Sequence, residues 1–151
     1  MKGVVVEDLT VNIDPRGDLI ELFRSDSDPI IAIMAMCYVS TTMPGAARGP
    51  HEHRRQTDHF YFTGPGSFDI YLWDNRQDSK TYGIREVLHA GTGMPKSVRI
   101  PPGIVHAYKN VGSVPGLVIN FPDCLYKGPE KKFPVDEIRY ENDPNSPFQV
   151  D

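Results

Sequence analysis

Cysteine is scarce: Cys37 and Cys124 are the only two, they stand far apart, and no metal or redox spacing links them. Both are expected to be reduced and packed, with no chemical role. Long apolar runs are missing as well. The longest, Ile30 to Val39, follows the polar Ser25-Asp26-Ser27-Asp28 and falls far short of the roughly 20 residues a membrane helix needs. No membrane segment is expected. The start, Met1-Lys2-Gly3-Val4-Val5-Val6-Glu7-Asp8, turns acidic before an apolar signal core can develop, which makes the cytoplasm the expected compartment. Positive charge is not in excess either. Sixteen Lys and Arg against twenty Asp and Glu give a net charge of -4, which argues against a general electrostatic grip on nucleic acid or anionic membrane. A local basic patch for one phosphorylated ligand stays open. There is no internal repeat and no low-complexity tract.

What the chain has in abundance is punctuation. Thirteen glycines and fourteen prolines in 151 residues leave few windows for a long helix, and the segments between them are rich in Val, Ile, Tyr and Phe. From Ser67 to Trp73 the residues alternate, with Phe68, Ile70 and Leu72 on one face and Ser67, Asp69, Tyr71 and Trp73 on the other. This run and Thr57 to Phe62 flank Gly64-Pro65-Gly66, which predicts a hairpin. Further strands are expected at Val4–Val6, Asp18–Arg24, Ile30–Ser40, Ile84–Leu88, Lys96–Ile100, Val105–Asn110 and Leu117–Phe121. Many short strands between turns indicate an all-β sandwich or jelly-roll barrel, the architecture that includes the cupins. The length fits one domain over 1–151, with a core over about 18–121 and a polar, proline-broken segment, 122–151, that wraps the outside or closes a pocket mouth.

Four of the five histidines fall into two clusters: His51, His53 and His59 after Arg48-Gly49-Pro50, and His106 after Pro101-Pro102-Gly103. His51 and His53 are two apart, so an extended strand would point both to one face, and a turn before His106 could bring it beside them. Gly45-(five residues)-His51-Glu52-His53-(four residues)-Asp58 and Pro101-x-Gly103-x-x-His106-x-x-x-Asn110 match the two cupin motifs, with Asp in place of the usual Glu. His51, His53, Asp58 and His106 would suit one divalent transition metal such as Mn, Fe, Ni or Zn. Strand parity bears on that choice. If Thr57–Phe62 is regular, Asp58 and His59 point to opposite faces, and Asp58 inward favours a metal while His59 inward favours metal-free sugar chemistry.

Five further blocks carry a narrower resemblance: Asp14-Pro15-Arg16-Gly17-x-x-x-Glu21, Arg48-Gly49-x-His51, Asp74-x-Arg76-x-x-Ser79-x-Thr81-x-Gly83, Pro101-x-Gly103-x-x-His106 and Tyr140-x-x-Asp143-Pro144. With these the chain resembles the dTDP-4-dehydrorhamnose 3,5-epimerase family, metal-free cupins that rearrange 4-keto nucleotide sugars, which implies no cofactor. The resemblance implies His51 as catalytic base, Tyr126 as acid, Arg16 and Glu21 as nucleotide contacts, and Arg48 facing the diphosphate or sugar. It also implies a homodimer that exchanges an N-terminal strand and completes the nucleotide site across the interface. The chain departs from the family pattern at His53, where a glutamine is usual, and at His59, which aligns with a lysine. It also lacks the carboxylate that supports the family's base. Arg48-Gly49-x-His51-x-His53, with Tyr38 on the preceding strand, is similar to the related dTDP-4-keto-6-deoxyhexose 3,4-ketoisomerases.

The chemistry suits these residue types. A 4-keto group acidifies the hydrogens at C3 and C5, so a base and an acid on opposite sides of the ring invert a centre. Histidine, near pKa 6.5, suits the base, and tyrosine, near 10, holds a proton to give. The enolate oxygen needs a fixed positive or hydrogen-bonding partner, for which His59 or Arg48 is suited, and His106 either lines the pocket or fixes its turn. The expected activity is epimerisation of a nucleotide-linked 4-keto-6-deoxyhexose at C3, C5 or both. The alternatives are 3,4-ketoisomerisation using His51 and His53, a metal-dependent dioxygenase or small-ligand cupin, and a catalytically silent sugar-binding cupin.

Overall fold

The computed structural model describes residues 1–28 and 32–151. Twelve strands are named: β1 (Val5–Asp8), β2 (Val11–Asp14), β3 (Gly17–Ile20), β4 (Tyr38–Thr42), β5 (Ala47–Glu52), β6 (Asp58–Phe62), β7 (Ser67–Asp74), β8 (Arg85–Gly91), β9 (Lys96–Ile100), β10 (Ile104–Asn110), β11 (Gly116–Asn120) and β12 (Ile138–Arg139). They form one sheet in the order β1-β9-β6-β11-β4, a second in the order β12-β5-β10-β7-β8, and a separate hairpin, β2-β3. All pairings are antiparallel. This is the all-β cupin jelly roll that the glycine and proline punctuation indicates. Among the described residues no helix is long and apolar enough to cross a membrane.

The core lies between the two sheets. Phe60, Phe62, Val98, Ile100 and Val118 from the first meet Phe68, Ile70, Leu72, Ile104 and Tyr108 from the second, all at most 4% exposed. Their period-2 spacing on β6, β7 and β10 turns one face of each strand inward. The other face of the second sheet is covered too. Tyr71, Trp73, Val105 and Ala107 pack under Tyr140, Phe148 and Val150 of the C-terminal segment, so both faces of β7 and β10 are apolar and buried.

Two expected strands are much shorter than their predicted spans, and β5 was not expected at all. Asp18–Arg24 is strand only to Ile20, and it pairs with β2, whose alternation of Val11 and Ile13 with Asn12 and Asp14 lasts only four residues. Ile30–Ser40 begins outside the described residues at 30 and 31. Its described part becomes strand only at Tyr38, since 32–37 crosses toward residue 122, where Ala35 N–H donates to the Pro122 carbonyl at 2.9 Å. β5 was hidden by Gly49-Pro50, which interrupts any strand pattern, yet it carries His51.

Gly49 is what lets β5 approach β10 so closely. Its φ is +83°, and a Cβ there would lie 2.5 Å from the His106 carbonyl oxygen and 3.1 Å from His51 Nδ1. No other residue type combines that conformation with that approach. As a result His51 and His106 pair directly across the strands, with ring centroids 4.4 Å apart.

Candidate active site

The site forms where the inward faces of β5, β6 and β10 meet. Asp58 shares the inward face of β6 with Phe60 and Phe62, and His106 shares that of β10 with Ile104 and Tyr108. The ligand atoms of His51, His53, Asp58 and His106 lie within 4.8 Å of one another. His51 faces an open cavity of about 1400 Å³, also lined by His53, Phe60, Tyr38, Ser40, Tyr108 and Arg48. The segment 122–137, including Tyr126, also lines it, and the basic Arg55, Lys127, Lys131 and Arg139 stand there among the acidic Asp123, Glu130, Asp136, Glu137 and Glu141, with Arg139 paired to Glu137 and Glu141.

Burial, then the neighbouring His106 and His53, push the His51 imidazole down to about 2, so its ring is neutral. His51 Nε2 lies 3.7 Å from Glu137 Oε1. Glu137 is brought there by β12, whose Arg139 pairs with His51 in the ladder. Sequence reasoning missed this carboxylate, because a two-residue strand leaves no periodicity to read. Burial pulls His53 down, but its contact with Asp58 outweighs that and holds its pKa above the ordinary value. Burial opposes the charge on Asp58, and the rings of His106 and His53 overcome it, holding the carboxyl below the usual range.

Of the two tyrosines beside His51, Tyr38 was singled out in the sequence through the ketoisomerase likeness, where it would contact the substrate, and Tyr108 was not. The Tyr38 hydroxyl accepts from Asn120 Nδ2 at 2.8 Å, and burial followed by the charge of Asp58 raises its pKa. Tyr108 shares a hydrogen bond with Ser40 Oγ at 2.9 Å. Arg48 donates from Nη2 to the Thr41 carbonyl at 2.9 Å and from Nε to Thr42 Oγ1 at 3.2 Å, which fixes the guanidinium at the cavity edge. Tyr126 is 48% exposed on the cavity wall.

Three residues do not join this group within one chain. His59 is buried on the opposite face of β6, its ring 4.6 Å from that of Tyr61, and it borders a separate cavity of about 420 Å³ with Glu21 and Arg99. The parity of β6 is the reason: Asp58 takes the inward position, so His59 does not reach the cavity that His51 faces. Burial, then Arg99, lowers His59 to about 4. Glu21 lies in that outer cavity, and Arg16 stands in the exposed β2-β3 turn, paired with Asp14 at 2.5 Å.

The Asp74-to-Thr81 block turns out to be a structural knot. Asp74, 1% exposed, accepts from Arg76 Nε and Nη2 at 2.8 Å each, from Ser79 Oγ at 2.6 Å and from Thr81 Oγ1 at 2.5 Å, which closes the loop after β7.

A jelly roll that opens histidine, tyrosine and arginine side chains to one cavity is a cupin with a polar pocket. No protein-family model matches the chain. It is 39% identical over 147 residues to the probable low-salt glycan biosynthesis epimerase Agl13 of Haloferax volcanii, covering 95% of this chain and 94% of that protein. It is 33% identical over 138 residues to the spore coat polysaccharide biosynthesis protein SpsL of Bacillus subtilis, covering 89% and 90%. The crystal structure of a dTDP sugar isomerase from Desulfovibrio desulfuricans superposes with a TM-score of 0.82 at 24% identity, over 98% of this chain and 90% of that one. The chain belongs to the dTDP-4-dehydrorhamnose 3,5-epimerase family and is an isomerase of the epimerase type.

Proposed function

We propose that the protein epimerises a dTDP-linked 4-keto-6-deoxyhexose at C3, C5 or both, with His51 taking the proton and Tyr126 returning one. The single observation that carries this reading is the position of His51: a neutral imidazole at the surface of a cavity large enough for a nucleotide sugar, which Tyr126 and Arg48 also line. Glu137 at 3.7 Å is placed to support the imidazolium once the proton arrives. Arg48 suits the diphosphate.

Nuclear magnetic resonance of dTDP-4-keto-6-deoxyglucose with the protein in deuterated water is the test. Deuterium at C3 or C5 with an inverted centre is the expected result. A 3-keto product would instead assign ketoisomerisation. Against that route, both ring nitrogens of His53 are engaged, Nδ1 with the Asp136 carbonyl and Nε2 toward Asp58 and Gln56.

The reading includes a homodimer. The β2-β3 hairpin forms its own sheet and exposes Ile13 at 81% and Leu19 at 64%, apolar surface that a second copy would cover. Arg16 and Glu21, remote from His51 in one chain, would then serve the partner's nucleotide site. Sedimentation is expected to give a dimer that Leu19→Asp dissociates. A fully active monomer would refute this arrangement.

A further inference from the structure

Two rungs of the β5-β10 ladder reach the cavity. In one, His51 pairs with His106; in the next, Arg48 pairs with Tyr108. Tyr108 lies two residues along β10 from His106, so the rungs stand roughly 7 Å apart. The first rung holds the base. The second holds Arg48, with Nη2 and Nε tied to Thr41 and Thr42, and beside it a pair of hydroxyls that the proposed reaction does not use.

That pair joins the two sheets. Ser40 Oγ of β4 and Tyr108 Oη of β10 share a hydrogen bond at 2.9 Å, and both residues line the cavity. The Tyr108 ring is held among Phe60, Phe62 and Phe68, with centroids 5.7, 5.6 and 5.8 Å away, which fixes the position of its hydroxyl. Burial raises its pKa, so the phenol keeps its hydrogen. The bond between the two hydroxyls consumes one of their two hydrogens. The other hydrogen and the spare lone pairs remain for a partner that both donates and accepts. A sugar hydroxyl is such a partner, whereas a diphosphate only accepts and suits Arg48.

Anchoring the diphosphate does not by itself choose a carbon. C3 and C5 are equally far from C1, one through C2 and the other through the ring oxygen. A hydroxyl pair beside Arg48 does choose, because C2 bears a hydroxyl, C3 is its neighbour, and C5 lies across the ring from it. We propose that Ser40 and Tyr108 bind the C2 hydroxyl of the sugar and so present C3, in preference to C5, to His51. The inference rests on the epimerase reading for its chemistry and adds to it a sugar subsite and a carbon.

The test removes the hydroxyl from each side in turn. Calorimetric titration compares dTDP-glucose with dTDP-2-deoxyglucose on the wild-type protein and on Tyr108→Phe, with dTDP as the reference for the nucleotide. Loss of the ligand hydroxyl is expected to weaken wild-type binding about tenfold and to cost nothing further in Tyr108→Phe, while both proteins bind dTDP alike. Phenylalanine fills the same aromatic cluster; should the variant fail to fold, Ser40→Ala gives the same comparison. In deuterated water the wild-type protein is expected to exchange C3 of dTDP-4-keto-6-deoxyglucose at least about tenfold faster than C5, and Tyr108→Phe to narrow that ratio. An equal loss in both proteins on removing the ligand hydroxyl overturns the subsite. Exchange at C5 as fast as at C3 in the wild-type protein overturns the choice of carbon and leaves the epimerase standing. Hydroxyl-dependent binding without exchange at either carbon keeps the subsite and refutes the epimerase assignment.

Discussion

His51→Asn is expected to lower turnover of a dTDP-4-keto-6-deoxyhexose by roughly 10²- to 10⁴-fold, the usual contribution of one positioned general base. The imidazole is the group at the cavity surface whose neutral nitrogen faces the space where a sugar ring fits. Asparagine keeps a polar side chain of smaller size beside Gly49 and His106, so the β5-β10 contact survives and the loss falls on the chemical step. Steady-state kinetics together with the C3 and C5 deuterium exchange rates measure it. A variant that keeps more than about one tenth of wild-type exchange would remove His51 from the reaction.

Asp74→Ala is expected to destabilise the protein by about 3 kcal/mol, the range for removing a buried carboxylate that several donors converge on. Arg76, Ser79 and Thr81 would lose their common acceptor, and Arg76 also ties Lys2 to the loop through its carbonyl at 2.6 Å. Urea unfolding followed by tryptophan fluorescence, with Trp73 next to the site of change, gives the value. The pH dependence has a definite sign. The hydrogen bond from Arg76, reinforced by Ser79 and Thr81, holds the Asp74 carboxyl below its ordinary range. Its contribution is therefore complete above the unfolded value near 3.9 and is lost as the pH falls from there toward the lower folded value. Asp74→Asn is expected to flatten the loss of stability over that acid range, and an unchanged acid profile would show that the knot does not govern it.

Much of the site was legible because motif spacing reflects local geometry. The two-residue spacing of His51 and His53 and the turn at Pro101-x-Gly103 allowed His51 and His106 to be paired on paper, although Gly49-Pro50 hid the strand that carries His51. The inward row Phe68, Ile70 and Leu72 was legible from alternation, but the hairpin expected around Gly64-Pro65-Gly66 is not formed: β6 pairs with β9 and β11 in one sheet and β7 with β10 and β8 in the other, so the turn carries the chain between sheets. Asp58 against His59 could be posed from sequence but not answered, because parity depends on where β6 starts in the ladder, and that is set by Asp58 pairing with Ile100 across β9. Glu137 could not be found at all. It reaches His51 only because a two-residue strand docks on β5, 86 positions away along the chain.

Composition and punctuation by themselves determined the all-β class, since closely spaced glycine and proline forbid long helices whatever the tertiary context. Residue type and spacing also indicated that His51, His53 and His106 would come together. Only the tertiary structure decided which carboxylates meet those rings, which face His59 takes, and that Arg16 and Glu21 stand apart from them in a single chain. The physical reason is range: turns and strand alternation act over a few residues, whereas register and the docking of the C-terminal segment are settled by contacts between distant parts of the chain.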